Sequence, residues 1–296
     1  MRALVTGGAG FVGTNLIKKL LLEGHDVISV DDYSTGFFKN EQSGCKYFNA
    51  DITNDSWGLS KIRVACPCES SCACRIEDVD CIFHLAALPR IKPSFKNPTE
   101  VINVNVNGTG NVLEYARKHN IPVIYAGSSS FHGGVYKNPY TFSKWQGEEL
   151  CKMYEKIYEL KVSICRFYNV YGDHMPRSGE YRTVLPIFLD QYRKGEYLTI
   201  TGDGKQRRDF THVDDIVDAM VKVVELEEYG NIFELGRGKN YSIKEVVKMF
   251  PVGKQWKYIP KIPGEARHTL CESKLAKELL GWKPQRNLEE WIGEQL

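Results

Sequence analysis

Ser128, Tyr140 and Lys144 are residue types that move protons, and Tyr140 and Lys144 stand four positions apart. On a helix that spacing puts both on one face, the ammonium near the phenol. Alone, such a pair recurs on many helices by chance, where a solvated face is its ordinary meaning. Its context gives it weight. The segment Thr6-Gly7-Gly8-Ala9-Gly10-Phe11-Val12-Gly13 is a G-x-x-G-x-x-G at a strand-to-helix turn. Gly7, Gly10 and Gly13 leave room for the backbone to approach a pyrophosphate, and the helix N-terminus adds N–H groups and a positive dipole end. Asp31 ends the next strand 18 residues after Gly13. An acid there accepts hydrogen bonds from ribose hydroxyls and repels a 2′-phosphate, so Asp31 and Asp32 favour NAD over NADP. Beside a positive nicotinamide ring, the Lys144 ammonium stabilises a phenolate at Tyr140, while the Ser128 hydroxyl shares the proton and holds a substrate oxygen.

These groups need a frame, and the chain alternates strand and helix signals. Short apolar runs at 2 to 6, 26 to 31, 46 to 50, 79 to 84, 122 to 126 and 161 to 166 read as strands. Helical spacing marks 12 to 22, 98 to 118 and 141 to 158. Such alternation predicts an α/β fold, a doubly wound parallel (Rossmann) sheet buried on both faces. After Arg166 the rhythm breaks into loops rich in Gly, Pro and charge. That predicts a nucleotide-binding domain over 1 to 165, rejoined by 210 to 235, and a small C-terminal substrate-binding lobe over most of 166 to 296.

Composition narrows the partners. With 39 Lys plus Arg against 37 Asp plus Glu in 296 residues, no basic surface argues for nucleic acid or an anionic membrane. No apolar run approaches the roughly 18 residues of a spanning helix. The first ten residues lack the basic region, apolar stretch and cleavage site of a leader, so a cytoplasmic location is expected. Nine cysteines then read as free thiols. Four of them, Cys66, Cys68, Cys72 and Cys74, crowd together in a C-x-C-x3-C-x-C pattern tighter than a zinc knuckle, so no metal site is expected.

The motifs taken together resemble the extended short-chain dehydrogenase/reductase family, specifically its NAD-dependent sugar-nucleotide epimerases and dehydratases. The resemblance runs through TGGAGFVG, VDDYSTG, ADIT, FHLAAL, NVNGTGNVLEYA, YTFSK, RFYNVYG, GDGKQRRDFTHVDD and PGEARHT, in the family's order. It implies that Phe11 and Val12 meet the pyrophosphate and that Asp51 and Ile52 meet the adenine. The stretch Asp31, Asp32, Tyr33, Ser34, Thr35 and Gly36 would hold the adenosine ribose side. Leu85, Ala86 and Ala87 would line the cofactor, with Tyr168 beside the nicotinamide. In the second lobe it implies that Arg208 and Arg267 grip the substrate diphosphate, that Asn169 binds a phosphate or sugar oxygen, and that Thr183, Val184, Thr199 and Thr201 surround the nucleotide. A guanidinium fork suits phosphate oxygens.

The same resemblance bears on the reaction. Dehydratases of the family place an Asp-Glu pair after the catalytic Ser or Thr, and decarboxylating relatives keep a glutamate there; this chain has Ser129 and Ser130. What remains is 4-epimerase chemistry on a nucleotide sugar, UDP-glucose and UDP-galactose or their N-acetyl forms. Another sugar-nucleotide enzyme of the family, such as a dehydratase, decarboxylase or reductase, and a non-catalytic NAD-binding regulator are the alternatives. Three features depart from the pattern: the short stretch between Ser128 and Tyr140, His132 in place of a common tyrosine, and Thr201 in place of an aromatic. Thr269 matches a gate position where a small side chain admits an N-acetylhexosamine. Relatives dimerise through the two long helices, so a homodimer is expected.

Overall fold

The computed structural model describes residues 1–54, 78–251, 255–261, 264 and 266–296, with backbone alone at 64–65 and 73–74. Seven strands form its main sheet: β1 (Arg2–Thr6), β2 (Asp26–Asp31), β3 (Cys45–Asn49), β4 (Cys81–His84), β5 (Val123–Ser128), β6 (Val162–Phe167) and β7 (Ile232–Leu235). All pair in parallel, in the spatial order β7-β6-β5-β4-β1-β2-β3. The first six strands follow the doubly wound order, whose reversal between β1 and β4 opens a crevice beyond the strand C-termini.

Apolar residues run without alternation along these strands, as in Ala3-Leu4-Val5 and Cys81-Ile82-Phe83, all fully buried, because both faces are covered. On one face α1 (Phe11–Leu22) and α4 (Val213–Glu225) bury Leu16, Ile17, Leu20, Ile216, Val217 and Met220. On the other, α2 (Thr109–His119) and α3 (Pro139–Tyr158) set Val112, Leu113, Ala116 and Cys151 against Leu4, Ile28, Ile82 and Tyr125. Each such large apolar side chain contributes about 1.5–3 kcal/mol on burial. One helix residue lacks a side chain for a reason: a Cβ on Gly147 would stand 2.2 Å from the Tyr125 hydroxyl. The hydrogen there lets α3 lie directly on β5.

The long helix expected over 98 to 118 is interrupted. It runs as Pro98–Ile102, a π-helical turn Asn103–Gly108, and then α2. Within that wide turn the buried Asn105 accepts from the Leu88 amide at 2.8 Å and donates to the Leu88 carbonyl at 3.1 Å. Such π turns are frequent at functional sites. β5 also extends two residues past its expected end, which makes Ser128 the last residue of a central strand.

The second lobe has its own core, in which Tyr171, Leu185, Phe188, Leu198, Ile200, Val246, Phe250 and Trp291 are buried. Phe11, at the start of α1, packs against both this core and that of the sheet. Two short pairings stiffen the lobe, Leu198–Thr201 with Trp256–Ile259 and Arg207–Asp209 with Asn240–Ser242. Of the cysteine cluster, Cys66, Cys68 and Cys72 lie outside the described residues, and Cys74 is placed by backbone only, in a two-residue strand paired with Val64–Ala65. Cys45, Cys81, Cys151, Cys165 and Cys271 are free thiols. Among the described residues no helix is long and apolar enough to cross a membrane.

Candidate active site

The glycine turn is built as its spacing requires. Gly7 has φ +74°, and a Cβ there would come within 2.7 Å of the Ala86 amide nitrogen. A Cβ on Gly13 would stand 2.2 Å from the Gly7 carbonyl oxygen. The turn is thus a cradle that side chains would fill, and Gly10 caps α1 with no side-chain hydrogen bond. The amides of the first turn of α1, which begins at Phe11, are available to a pyrophosphate. The residues fit a dinucleotide.

Asp31 is buried at the end of β2, where its carboxylate accepts from the Ala9 amide at 2.9 Å and the Tyr33 amide at 2.8 Å. Burial raises its pKa, and those two hydrogen bonds oppose the rise. Four lone-pair sites leave it capacity for ribose hydroxyls. Asp32, in contrast, is exposed and serves its own turn, accepting from the Ser34 amide and hydroxyl at 2.9 and 2.6 Å. Tyr33 takes a left-handed φ of 58° and stacks on Phe38 with centroids 3.9 Å apart. Thr35 lies beside them, half-buried, and Gly36 is packed so that a Cβ would stand 3.0 Å from Ala9 and Asp31. Asp51 closes a turn by accepting from the Thr53 amide at 2.8 Å, and the buried Ile52 is tied by its carbonyl to Asn111 at 2.9 Å.

Leu85, Ala86 and Ala87 leave β4 beside the glycine turn, with the Leu85 amide on the Thr6 carbonyl at 3.1 Å and the Ala86 amide on the Thr6 hydroxyl at 3.2 Å. The same Thr6 hydroxyl meets the Nδ1 of His84 at 2.7 Å, and the other ring nitrogen lies 3.0 Å from the Thr109 hydroxyl. Burial, then the Lys144 charge, push this histidine down to about 3, so it stays neutral.

Across the crevice, the Tyr140 hydroxyl donates to the Ser128 Oγ at 3.5 Å, and the Ser130 hydroxyl lies 2.9 Å from the same oxygen. Asn138 and Pro139 start α3 in the manner expected of a cap and first turn, the Asn138 side chain accepting from the Thr141 amide at 2.8 Å. Tyr140 therefore sits in the first turn and Lys144 one turn on. Lys144 is buried, its Nζ 4.1 Å from the Tyr125 ring centroid. Burial lowers its pKa to about 8, with the Glu148 charge opposing the fall.

Several supporting groups carried no functional expectation. Asn105 donates to Ser143 at 2.9 Å and so ties the segment after β4 to α3. Glu148 is 1% exposed and pairs with Arg166 at 2.7 Å, which in turn pairs with Glu234 at 2.8 Å. His132 joins the end of this chain, its Nε2 2.9 Å from Glu234, with the imidazole on the Tyr168 side at 6.2 Å between centroids. It is an anchored loop residue. Tyr168 itself is buried, and burial and Glu234 both raise its pKa far above the usual range.

In the second lobe, Asn169 (φ 31°) donates to the Asp209 carbonyl at 3.0 Å and to the Thr269 hydroxyl at 3.1 Å. Thr269 also accepts from the Asp209 amide at 3.2 Å. Asp209 is fully buried and receives the amides of Arg237, Gly238 and Cys271 at 2.9, 2.9 and 3.0 Å. Thr183 precedes the helix Val184–Arg193, with Val184 half-buried at its start. Thr199 is tied to Gln191 at 3.0 Å, and it shares one face of its strand with Thr201. Arg208 bends back onto the Arg207 carbonyl at 3.0 Å. Arg267 makes a fork on Asp203 at 3.0 and 2.7 Å on the surface, so a diphosphate would have to replace that carboxylate.

The model of the NAD dependent epimerase/dehydratase family matches residues 3–236. The chain belongs to that family. Among family members, a putative UDP-glucose 4-epimerase of Methanocaldococcus jannaschii is 34% identical, over 98% of this chain and 95% of the relative. A UDP-N-acetyl-alpha-D-glucosaminuronate decarboxylase of Bacillus cytotoxicus is 31% identical, over 83% of this chain and 78% of its own length. The crystal structure of a Thermotoga maritima UDP-glucose 4-epimerase with UDP-glucose superimposes with a TM-score of 0.87, at 28% identity over 99% of this chain and 96% of that one. The family resemblance, the doubly wound fold and the NAD dependence expected from the sequence are borne out at this level. The family members differ in reaction, so family membership leaves epimerase and decarboxylase chemistry both represented.

Proposed function

We propose that the protein is an NAD-dependent sugar-nucleotide 4-epimerase. The observation that carries this is the composition of the site around Ser128. Tyr140 donates to the Ser128 hydroxyl, whose other side-chain neighbour is the Ser130 hydroxyl, and the one carboxylate close by, Glu148 on the Ser128 amide at 3.4 Å, is paired with Arg166. The positions where dehydratases of the family carry a second acid and base are hydroxyls here. One proton acceptor with one hydroxyl partner suffices to cycle a single secondary alcohol between alcohol and ketone.

When bound, the dinucleotide supplies a reversible two-electron acceptor for C4. Tyr140 takes the proton of the 4-hydroxyl and later returns it. Lys144, charged below about 8, favours the phenolate that does this. Ser128 holds the 4-oxygen in reach of Tyr140 and carries the proton between them. The ketone must present its opposite face before it is reduced again, so the diphosphate stays held while the sugar turns. Arg208, Arg267 and Asn169 serve that hold, with Thr183, Val184, Thr199 and Thr201 around the nucleotide. UDP-glucose with UDP-galactose, or their N-acetyl forms past the small Thr269, are the proposed substrate pairs.

The test is to incubate purified protein with each UDP-sugar, without added cofactor, and resolve the products. Interconversion at C4 is expected, and Tyr140→Phe should lower kcat by about 10²–10⁴-fold, the usual weight of a positioned acid–base group. Retention of activity by that variant sinks the mechanism. We also propose that two copies pair through α2 and α3, near whose start Tyr136, Phe142 and Trp145 form an aromatic group with centroids 5.6 to 6.2 Å apart. Sedimentation should give a dimer mass.

A further inference from the structure

Arg90 has no part in the mechanism above, and its surroundings call for one. It follows the cofactor wall Leu85-Ala86-Ala87 and adopts φ 87° and ψ 139°. That is a backbone conformation that L side chains rarely take, and it persists where the surrounding structure holds a side chain in place. The side chain crosses from the first lobe to the second, where Nε donates to the Tyr181 carbonyl at 3.1 Å. That acceptor is neutral. Among the described residues no carboxylate pairs with Arg90, whereas the buried Arg166 is matched by Glu148 and Glu234. Burial lowers the pKa of Arg90, and the neighbouring Tyr140 phenol opposes the fall. Arg90 is half-buried, its Nε is its one hydrogen-bonded nitrogen among the described residues, and a guanidinium fork left open in a cleft without an anionic partner is a candidate for receiving an anion from outside.

Two anions of a nucleotide sugar could meet it, a diphosphate oxygen or a carboxylate on the sugar. Position separates them. Arg90 is two residues past Leu88, which Asn105 and Ser143 link to the Tyr140 carbonyl in the first turn of α3, whereas the arginines assigned to the diphosphate, Arg208 and Arg267, lie in the second lobe. The sugar carbon next to C4 is C5, and in a hexuronic acid C5 bears the carboxylate. A planar fork matches that group with two parallel hydrogen bonds. We propose that Arg90 is a specificity-determining residue, and that its guanidinium receives the C6 carboxylate of a nucleoside diphosphate hexuronic acid. This inference rests on the 4-epimerase reading and narrows its substrate from neutral hexoses to uronic acids.

The experiment compares full-length wild type, Arg90→Gln and Arg90→Lys on UDP-glucuronate and UDP-glucose, with turnover and binding measured separately. Wild type should favour UDP-glucuronate. In Arg90→Gln the ratio of kcat/KM for UDP-glucuronate over UDP-glucose should fall by about 100-fold, chiefly through KM, with partial recovery in Arg90→Lys. An equal loss on both sugars, or a wild type without preference, overturns the proposal, because Arg90 would then act on the diphosphate or on Tyr140. Calorimetric titration with each UDP-sugar and with UDP alone is the second arm. Binding of UDP-glucuronate should weaken relative to UDP and UDP-glucose in Arg90→Gln, and parallel weakening of all three counts against the proposal. Loss of carbon dioxide from UDP-glucuronate without C4 inversion would overturn the epimerase reading while supporting the carboxylate contact.

Discussion

The wall formed by β4, β5 and α3 and the second lobe handle polar groups in opposite ways. Around the wall the polar side chains have protein partners already: His84 between Thr6 and Thr109, Asn105 with Leu88 and Ser143, Glu148 with Arg166. All of these are buried. In the lobe one of the two arginines assigned to substrate sits on the surface, Arg267 being 58% exposed in its side chain and paired with a 46% exposed Asp203. Groups that must be in register for proton transfer are set before substrate arrives. Arg267, proposed to hold the diphosphate, has a surface partner that substrate would displace.

The contrast can be broken or sharpened by mutation. The largest effect is expected at Glu148: Glu148→Ala removes the buried partner of Arg166, leaving it Glu234 alone, and should cost about 3 kcal/mol of unfolding free energy in a denaturant titration. The lobe has one point built like the wall, the buried Asp209 with its three amide donors. Asp209→Ala orphans them, and the expected loss is about 2–3 kcal/mol; a change near zero would show the lobe to be loose throughout.

A pH profile comes next. Because the folded pKa of Lys144 is pulled down to about 8, the ammonium is lost as pH rises through that value, and kcat should fall on the alkaline side of it. For stability the sign is opposite: between about 8 and the unfolded value near 10.5 the unfolded chain binds the extra proton, so this lysine's burial penalty is relieved as pH rises. Lys144→Met should remove both dependences. The smallest effect belongs to the surface. Asp203→Asn frees Arg267, and the melting temperature should scarcely move while affinity for UDP rises by about twofold.

How much of this was legible in the sequence follows from the range of the forces involved. The glycine turn and the Tyr140–Lys144 spacing are local, and both stand where periodicity put them. The π turn at Asn103–Gly108 was not legible, because the apolar spacing on either side continues as for a plain helix. What widens it is a contact between Asn105 and Leu88, 17 residues earlier. The chain from Glu148 through Arg166 to Glu234 and His132 joins four separate segments, and no spacing rule links them. Arg267 was legible as an arginine in a motif, yet its partner Asp203 lies 64 residues away in sequence. Asp32 was read beside Asp31 as a ribose acceptor, whereas its own loop occupies one of its oxygens.

Gly147 carries a consequence for how this scaffold can change. It touches neither lobe's ligand-binding loops and has no side chain to offer, yet α3 rests on β5 through its single hydrogen, with the Tyr125 hydroxyl only 2.2 Å from where a methyl would be. An alanine there would lift the helix and carry Tyr140 and Lys144 with it. The loops around Arg90, His132 and Thr269 can drift to suit a new sugar, while the helix beneath them cannot. Diversification is thus confined to the rim of the cleft, and a designer seeking altered selectivity would leave the floor alone.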